Sequence, residues 1–181
     1  YFYAMAALTG GEMTVKGVHL DLMQGDIKFF GVLEQLGCRV EETDSGVKVT
    51  GPKDGYNGID VNMNDFSDQT MTLAVLAPFA RTATTIRGIS HMRLQVCDRL
   101  QGIVNELTRV GISCIGEEDT IYIQPGNPVG AIIETYDDHR FAMAFTLLGL
   151  KAEGIVIDDP MCCRKTFENY FEVLEQVISR T

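Results

Sequence analysis

The 181-residue sequence has no tryptophan and no apolar run near the ~20 residues that a membrane-crossing helix requires. It carries no N-terminal signal-peptide pattern. Basic residues are the minority charge, 15 Lys and Arg against 25 Asp and Glu, for a formal net charge of −10. That balance argues against a nucleic-acid partner. It leaves room for a small anionic ligand, because a few cations in one cleft can dominate the local field. The cysteines, Cys38, Cys97, Cys114, Cys162 and Cys163, are odd in number and lack metal-ligand spacing. Reduced thiols in a cytoplasmic protein are the expectation. Hydrophobic residues make up 45%, enough for a substantial core at this length. The first residue is Tyr1, inside an apolar run, which fits a fragment.

What is present is a repeat. VLEQL at 32–36 returns as VLEQV at 173–177, and YAMAA at 3–7 as FAMAF at 141–145. A middle copy fits between them, with TMTLAVLAPFA at 70–80 and GIVNELTRVG at 102–111. Each copy reads as an apolar helix, a strand, a polar loop, an amphipathic helix and two closing strands. The first strands are EMTVKGV (12–18), TTIRGI (84–89) and GIVIDD (154–159). Gly37 and Gly111 are good helix stops. The repeats span about 1–52, 53–126 and 127–181. The first lacks a leading strand like IDVNMN (59–64) or AIIETY (131–136), and the third lacks its closing strands. Something beyond this sequence is expected to supply them.

The pattern predicts an inside-out α/β arrangement. LAVLAPFA and FAMAFTLL have no polar face, which predicts buried helices. The strands alternate, Val47 and Val49 against Lys48 and Thr50, which predicts sheets outside with one wet face. Pro78 is expected to kink or end the middle helix.

Charged clusters stand before these helices: Ser67-Asp68, Asp98-Arg99, Asp138-His139-Arg140, and Lys165 with Thr166. Asp68, Asp98 and Asp138 each read as ordinary helix caps, worth ~0.5–2 kcal/mol. Arg99 and Arg140 do not. A cation at a helix start is unfavourable by ~0.3–1 kcal/mol unless a carboxylate or a bound anion compensates it. Its recurrence favours the anion, which the free N–H groups of a helix start and the planar fork of arginine both suit. His139 is expected to pack rather than to act as an acid.

QGD at 24–26, DQTMTLAVLA, HMRLQVCDRL, YDDHRFAMAF and the KTF of RKTFENYF occur in this order. As a set they resemble the 5-enolpyruvylshikimate-3-phosphate (EPSP) synthase family, in its C-terminal part. The resemblance implies a lobe of three βαβαββ units, with the N-terminal lobe absent. It implies transfer of the enolpyruvyl group of phosphoenolpyruvate (PEP) to the 5-hydroxyl of shikimate 3-phosphate, by addition and elimination with release of phosphate, on the shikimate route to aromatic amino acids. No metal or organic cofactor is implied. Asp68 matches a candidate base at the 5-hydroxyl. Arg99, Arg140 and Lys165 match cations that hold PEP, with Lys165 also in a catalytic role. His91 and Gln95 match positions near the shikimate phosphate. An isolated lobe is expected to bind PEP or phosphate weakly and not to turn over.

One stretch departs from the family. Gln95-Val96-Cys97 stands where it usually has Lys-Glu-(Thr/Ser/Cys). Gln95 keeps a donor but loses the charge, and Val96 replaces a glutamate credited with proton transfer. Loss of such a group typically costs ~10²–10⁴-fold in rate. A non-catalytic anion-binding or regulatory relative is therefore one alternative. The UDP-N-acetylglucosamine enolpyruvyl transferase branch is another, made weaker by the QGD and KTF segments. Glu168 follows KTF where the family has proline, a change at the helix entry.

Overall fold

A helix that is apolar on every side cannot rest at a surface, and three such helices organise this chain. The computed structural model describes residues 1–179. Arg180 and Thr181, the end of the third expected repeat, lie outside the described residues. Helix α1 (Phe2–Thr9) buries Ala4–Leu8, α3 (Thr70–Leu76) buries all seven residues, and α5 (His139–Phe145) buries Phe141–Phe145. Helix α3 packs against both α1 and α5. Three further helices, α2 (Phe29–Gln35), α4 (Arg99–Arg109) and α6 (Tyr170–Ile178), each bury one side only.

Among the described residues, nine short strands form three sheets. The first holds β1 (Glu12–Lys16), β2 (Arg39–Thr43) and β3 (Gly46–Thr50), all antiparallel, with β3 central. The second holds β4 (Asp60–Asn62), β5 (Thr84–Arg87), β6 (Cys114–Gly116) and β7 (Ile121–Ile123) in the order β4-β5-β7-β6. The third is β8 (Ala131–Ile133) beside β9 (Ile155–Ile157). The strands show the alternation that the sequence carries. On β3, Val47 and Val49 are fully buried while Lys48 and Thr50 are partly exposed.

Two pairs are parallel, β4 with β5 and β8 with β9. Parallel neighbours need a crossover, and α3 and α5 provide it. The observed strands are shorter than the sequence segments. TTIRGI pairs only over 84–87 and AIIETY only over 131–133, because the residues beyond the last ladder pair turn out of the sheet into loops. Pro78 has the effect its ring imposes: α3 ends at Leu76 and the chain passes into a 3₁₀ turn, Ala77–Phe79. No helix among the described residues is long and apolar enough to cross a membrane.

Candidate functional site

In sheets with parallel strands, ligand sites gather beyond the carboxyl ends of the strands. The charged clusters of this chain lie there. The end of β4 runs into a 3₁₀ segment, Asn64–Gln69, that carries Ser67 and Asp68. The end of β5 runs into another, Ser90–Leu94, with His91, and then through Gln95 to α4 and Arg99. The end of β8 runs through a tight turn to α5 and Arg140. The end of β9 runs to the segment Pro160–Lys165.

Arg99 is the centre of this arrangement. It is 4% exposed, and four of its donor contacts are made to side chains. Nε donates to Asp138 Oδ2 at 2.6 Å and Nη2 to Asp138 Oδ1 at 3.3 Å. Nη1 donates to Gln95 Oε1 at 2.6 Å and to Asp68 Oδ1 at 3.2 Å. The other oxygen of Asp68 accepts from Arg140 Nη2 at 2.7 Å. One carboxylate thus bridges the two arginines. Asp138 is wholly buried and also caps α5, accepting from the Arg140 amide at 2.9 Å.

Asp98 caps α4 by accepting from the Gln101 amide. Asp68 is not a cap. The residue before α3 is Gln69, no side chain caps that helix, and the Asp68 carboxylate is turned to the arginines. The unfavourable placement of Arg99 and Arg140 is thus met by carboxylates within the chain. An arriving anion has to share the arginines with Asp68, which is 42% exposed on its side chain.

The other predicted positions divide. His91 and Gln95 line one polar cleft with Asp68 and with Gln24, Gly25 and Asp26 of the first repeat. His91 Nε2 shares a hydrogen bond of 2.7 Å with Ser67 Oγ. Lys165 is not brought to the arginines. Its ammonium lies 3.7 Å from Asp137, and both side chains are 76% exposed. Val96 is 65% exposed between Gln95 and Cys97. His139 is held below the usual histidine range by burial, against the opposing pull of Asp138. Burial, aided by Asp138, pushes the Cys97 thiol up to about 11, so it stays protonated at neutral pH.

The turn before α5 is the strained part. Tyr136 and Asp137 have φ of 55° and 53°, the two non-glycine positive values among the described residues. Such residues cost on the order of 1–3 kcal/mol each and persist only where surrounding structure holds them. The Tyr136 ring lies 5.0 Å from that of Phe141, and its hydroxyl donates to Glu106 Oε1 at 2.8 Å. Sequence reasoning missed Glu106, Tyr136 and the pairing role of Asp138. A signal for Glu106 was available: it falls beside the apolar stripe of α4 formed by Leu100, Ile103 and Leu107, where a carboxylate needs partners.

With this geometry in view, three comparisons bear on identity. The family model for EPSP synthase (3-phosphoshikimate 1-carboxyvinyltransferase) matches residues 1–174. A 3-phosphoshikimate 1-carboxyvinyltransferase of Nostoc punctiforme is 47% identical over 180 residues, 99% of this chain and 42% of that protein. The chloroplastic one of Arabidopsis thaliana is 46% identical over 98% of this chain and 35% of its own length. Among solved structures, an EPSP synthase of Acinetobacter baumannii superposes with a TM-score of 0.82 at 24% identity, over 96% of this chain and 43% of that one. The enolpyruvyl transferase NikO of Streptomyces tendae does so at 0.74 and 19% identity, over 97% and 40%. The two structures speak to fold alone, and the chain spans less than half the length of these relatives. On the family model and the sequence identities, the chain belongs to the EPSP synthase family.

Proposed function

We propose that this chain forms one lobe of an enzyme that moves the enolpyruvyl group of PEP to the 5-hydroxyl of shikimate 3-phosphate and releases phosphate. The repeats at about 1–52, 53–126 and 127–181 are its three units. The remaining length of the relatives, more than half of each, corresponds to a second lobe that would close the substrate cleft. The activity for which the relatives are named supports this reading. The observation that carries it is the convergence of Arg99 and Arg140 on one carboxylate, Asp68, at the mouth of a polar cleft.

The roles rest on chemistry. The acceptor hydroxyl adds to C2 of PEP while C3 gains a proton. Phosphate then leaves C2 as C3 loses a proton, and the vinyl group is restored. Asp68 is the acceptor for the hydroxyl proton. Arg99 and Arg140 balance the carboxylate and phosphate of PEP, and the buried Asp138 keeps Arg99 oriented before the ligand arrives. Lys165 is free to swing from Asp137 to the phosphate, since an exposed pair of that kind is worth ~0–1 kcal/mol. His91 and Gln95 meet the acceptor.

Val96 favours a second reading, anion binding without turnover. A valine supplies no proton at that position, and its neighbour Gln95 supplies no charge. Both readings need the anion site. Titration of the chain with PEP, followed by ¹H–¹⁵N NMR of the arginine Nε–H groups, is expected to move Arg99 and Arg140 with weak affinity. Resonances that stay still at saturating PEP would remove both readings. Turnover by the full-length protein separates them.

A further inference from the structure

The enolpyruvyl transfer leaves the far side of α4 unexplained. Glu106 is fully buried there, and each oxygen of its carboxylate accepts two hydrogen bonds. Oε1 receives Arg109 Nη2 at 3.2 Å and the Tyr136 hydroxyl at 2.8 Å. Oε2 receives Arg109 Nε at 2.9 Å and the Glu134 amide at 3.0 Å. A carboxylate has about four such acceptor sites, so this one is filled. Asn105 Nδ2 donates in turn to the Tyr136 hydroxyl at 3.3 Å.

Two partners of Glu106 belong to a stretch of special backbone. Glu134 leaves β8, and Tyr136 is the first of the two left-handed residues. The turn is fixed from within as well, since the Asp138 amide donates to the Thr135 carbonyl at 2.8 Å. From the other flank, the Thr135 amide donates to Asp158 Oδ1 at 3.0 Å. Immediately after the left-handed pair comes Asp138, the buried partner of Arg99. Strain held at such a place implies that something over-determines the turn. The filled carboxylate and the Tyr136 ring, tilted against Phe141, are what the structure offers for this.

We propose that Tyr136 and Glu106 are positioning residues, a latch that holds the turn and thereby sets the seat of Arg99 in the anion site. The effect is indirect, because neither side chain lines the polar cleft. Helix α4 carries both ends of the linkage. Arg99 is its first residue and Glu106 lies two turns along, so one rigid element spans the distance between latch and site. The value of the site for PEP rests on the proposed enolpyruvyl transfer; the latch itself does not.

The test uses the ¹⁵N-labelled chain with Tyr136→Phe, Glu106→Gln and the control Tyr122→Phe. Tyr122 also donates to a glutamate, Glu117, at 3.3 Å, but on an exposed sheet face. In Tyr136→Phe, exchange of the Arg99 Nε–H with water is expected to rise about tenfold, and PEP affinity to fall about tenfold, while amides of β3 and β7 keep their protection. A tenfold change is the order that one lost hydrogen bond supports. Tyr122→Phe should change neither quantity. A merely structural role would loosen core amides together with Arg99. That outcome overturns the proposal, as does a folded Tyr136→Phe in which the Arg99 signal and its exchange are unchanged. If Glu106→Gln fails to fold, Tyr136→Phe decides alone. If PEP moves nothing in the parent chain, the functional reading fails, and the Arg99 exchange comparison still judges the latch.

Discussion

Arg99 shows how far one side chain depends on its partners. A guanidinium does not lose its charge in a protein, so its burial must be balanced. Asp138, wholly buried, contributes to that balance by accepting two hydrogen bonds, and the Asp68 carboxylate accepts a third. Replacing one member of a buried pair costs ~3–5 kcal/mol, because the other is left uncompensated. For Asp138→Asn we expect the lower end of that range, since Asp68 and Gln95 still accept from Arg99. Urea unfolding measures it, and a loss below about 1 kcal/mol would show that the pair is not what holds Arg99. At this scale the sequence was partly legible. The residue types at 68, 99, 138 and 140 pointed to an anion and to caps. Which carboxylate serves as cap and which as counter-ion was not legible, because it depends on three helix starts meeting in space. Nor does the sequence mark Tyr136 as left-handed, since tyrosine rarely takes that backbone.

Helices were easier to read than their ends. The apolar runs LAVLAPFA (73–80) and FAMAFTLL (141–148) were expected to be buried, and they are, apart from Phe79 and Thr146, which are partly exposed. Strand lengths were overestimated because β-rich composition continues past the last ladder pair into residues that turn towards the site. The packing of α4 on α5 was invisible to periodicity and rests on a glycine. A Cβ on Gly102 would sit 2.5 Å from the tip of the Phe141 ring, and that ring is fully buried and stacked on Phe145. The ring would have to shift within the core. Gly102→Ala should therefore cost ~1–3 kcal/mol by overpacking, although alanine is the better helix former by ~1 kcal/mol. Thermal unfolding gives the sign directly. A stabilised Gly102→Ala would mean that propensity outweighs the contact. Because α4 carries Arg99 and α5 carries Arg140, the same substitution should also weaken the PEP binding proposed for this site.

At the scale of the whole molecule the three sheets are unequal. The first has three strands, the second four and the third only two. Central strands β3 and β7 are paired on both sides, whereas β9 has β8 on one side and, among the described residues, no ladder on the other. Outer faces differ too. On the first sheet that face carries Glu12, Lys48, Arg39 and Glu41, with Lys48 paired to Glu12 at 3.1 Å. On the third it carries Ile132 and Val156, 63% and 52% exposed. An edge with unpaired groups and an uncovered apolar face is the part of a sheet that opens first. Stability should therefore be graded, highest along β3, β7 and the buried helices, lowest along β9. Native-state hydrogen exchange tests this residue by residue. Amides of Ile155–Ile157 are expected to exchange at least tenfold faster than those of Val47–Val49, on the order of 1.4 kcal/mol less protection. The grading also reaches the site, because β9 leads into the segment that carries Lys165, whereas Arg99 rides on a helix seated against the four-stranded sheet. Equal protection of β9 and β3 would show one cooperative unit and would place Lys165 on as firm a support as Arg99.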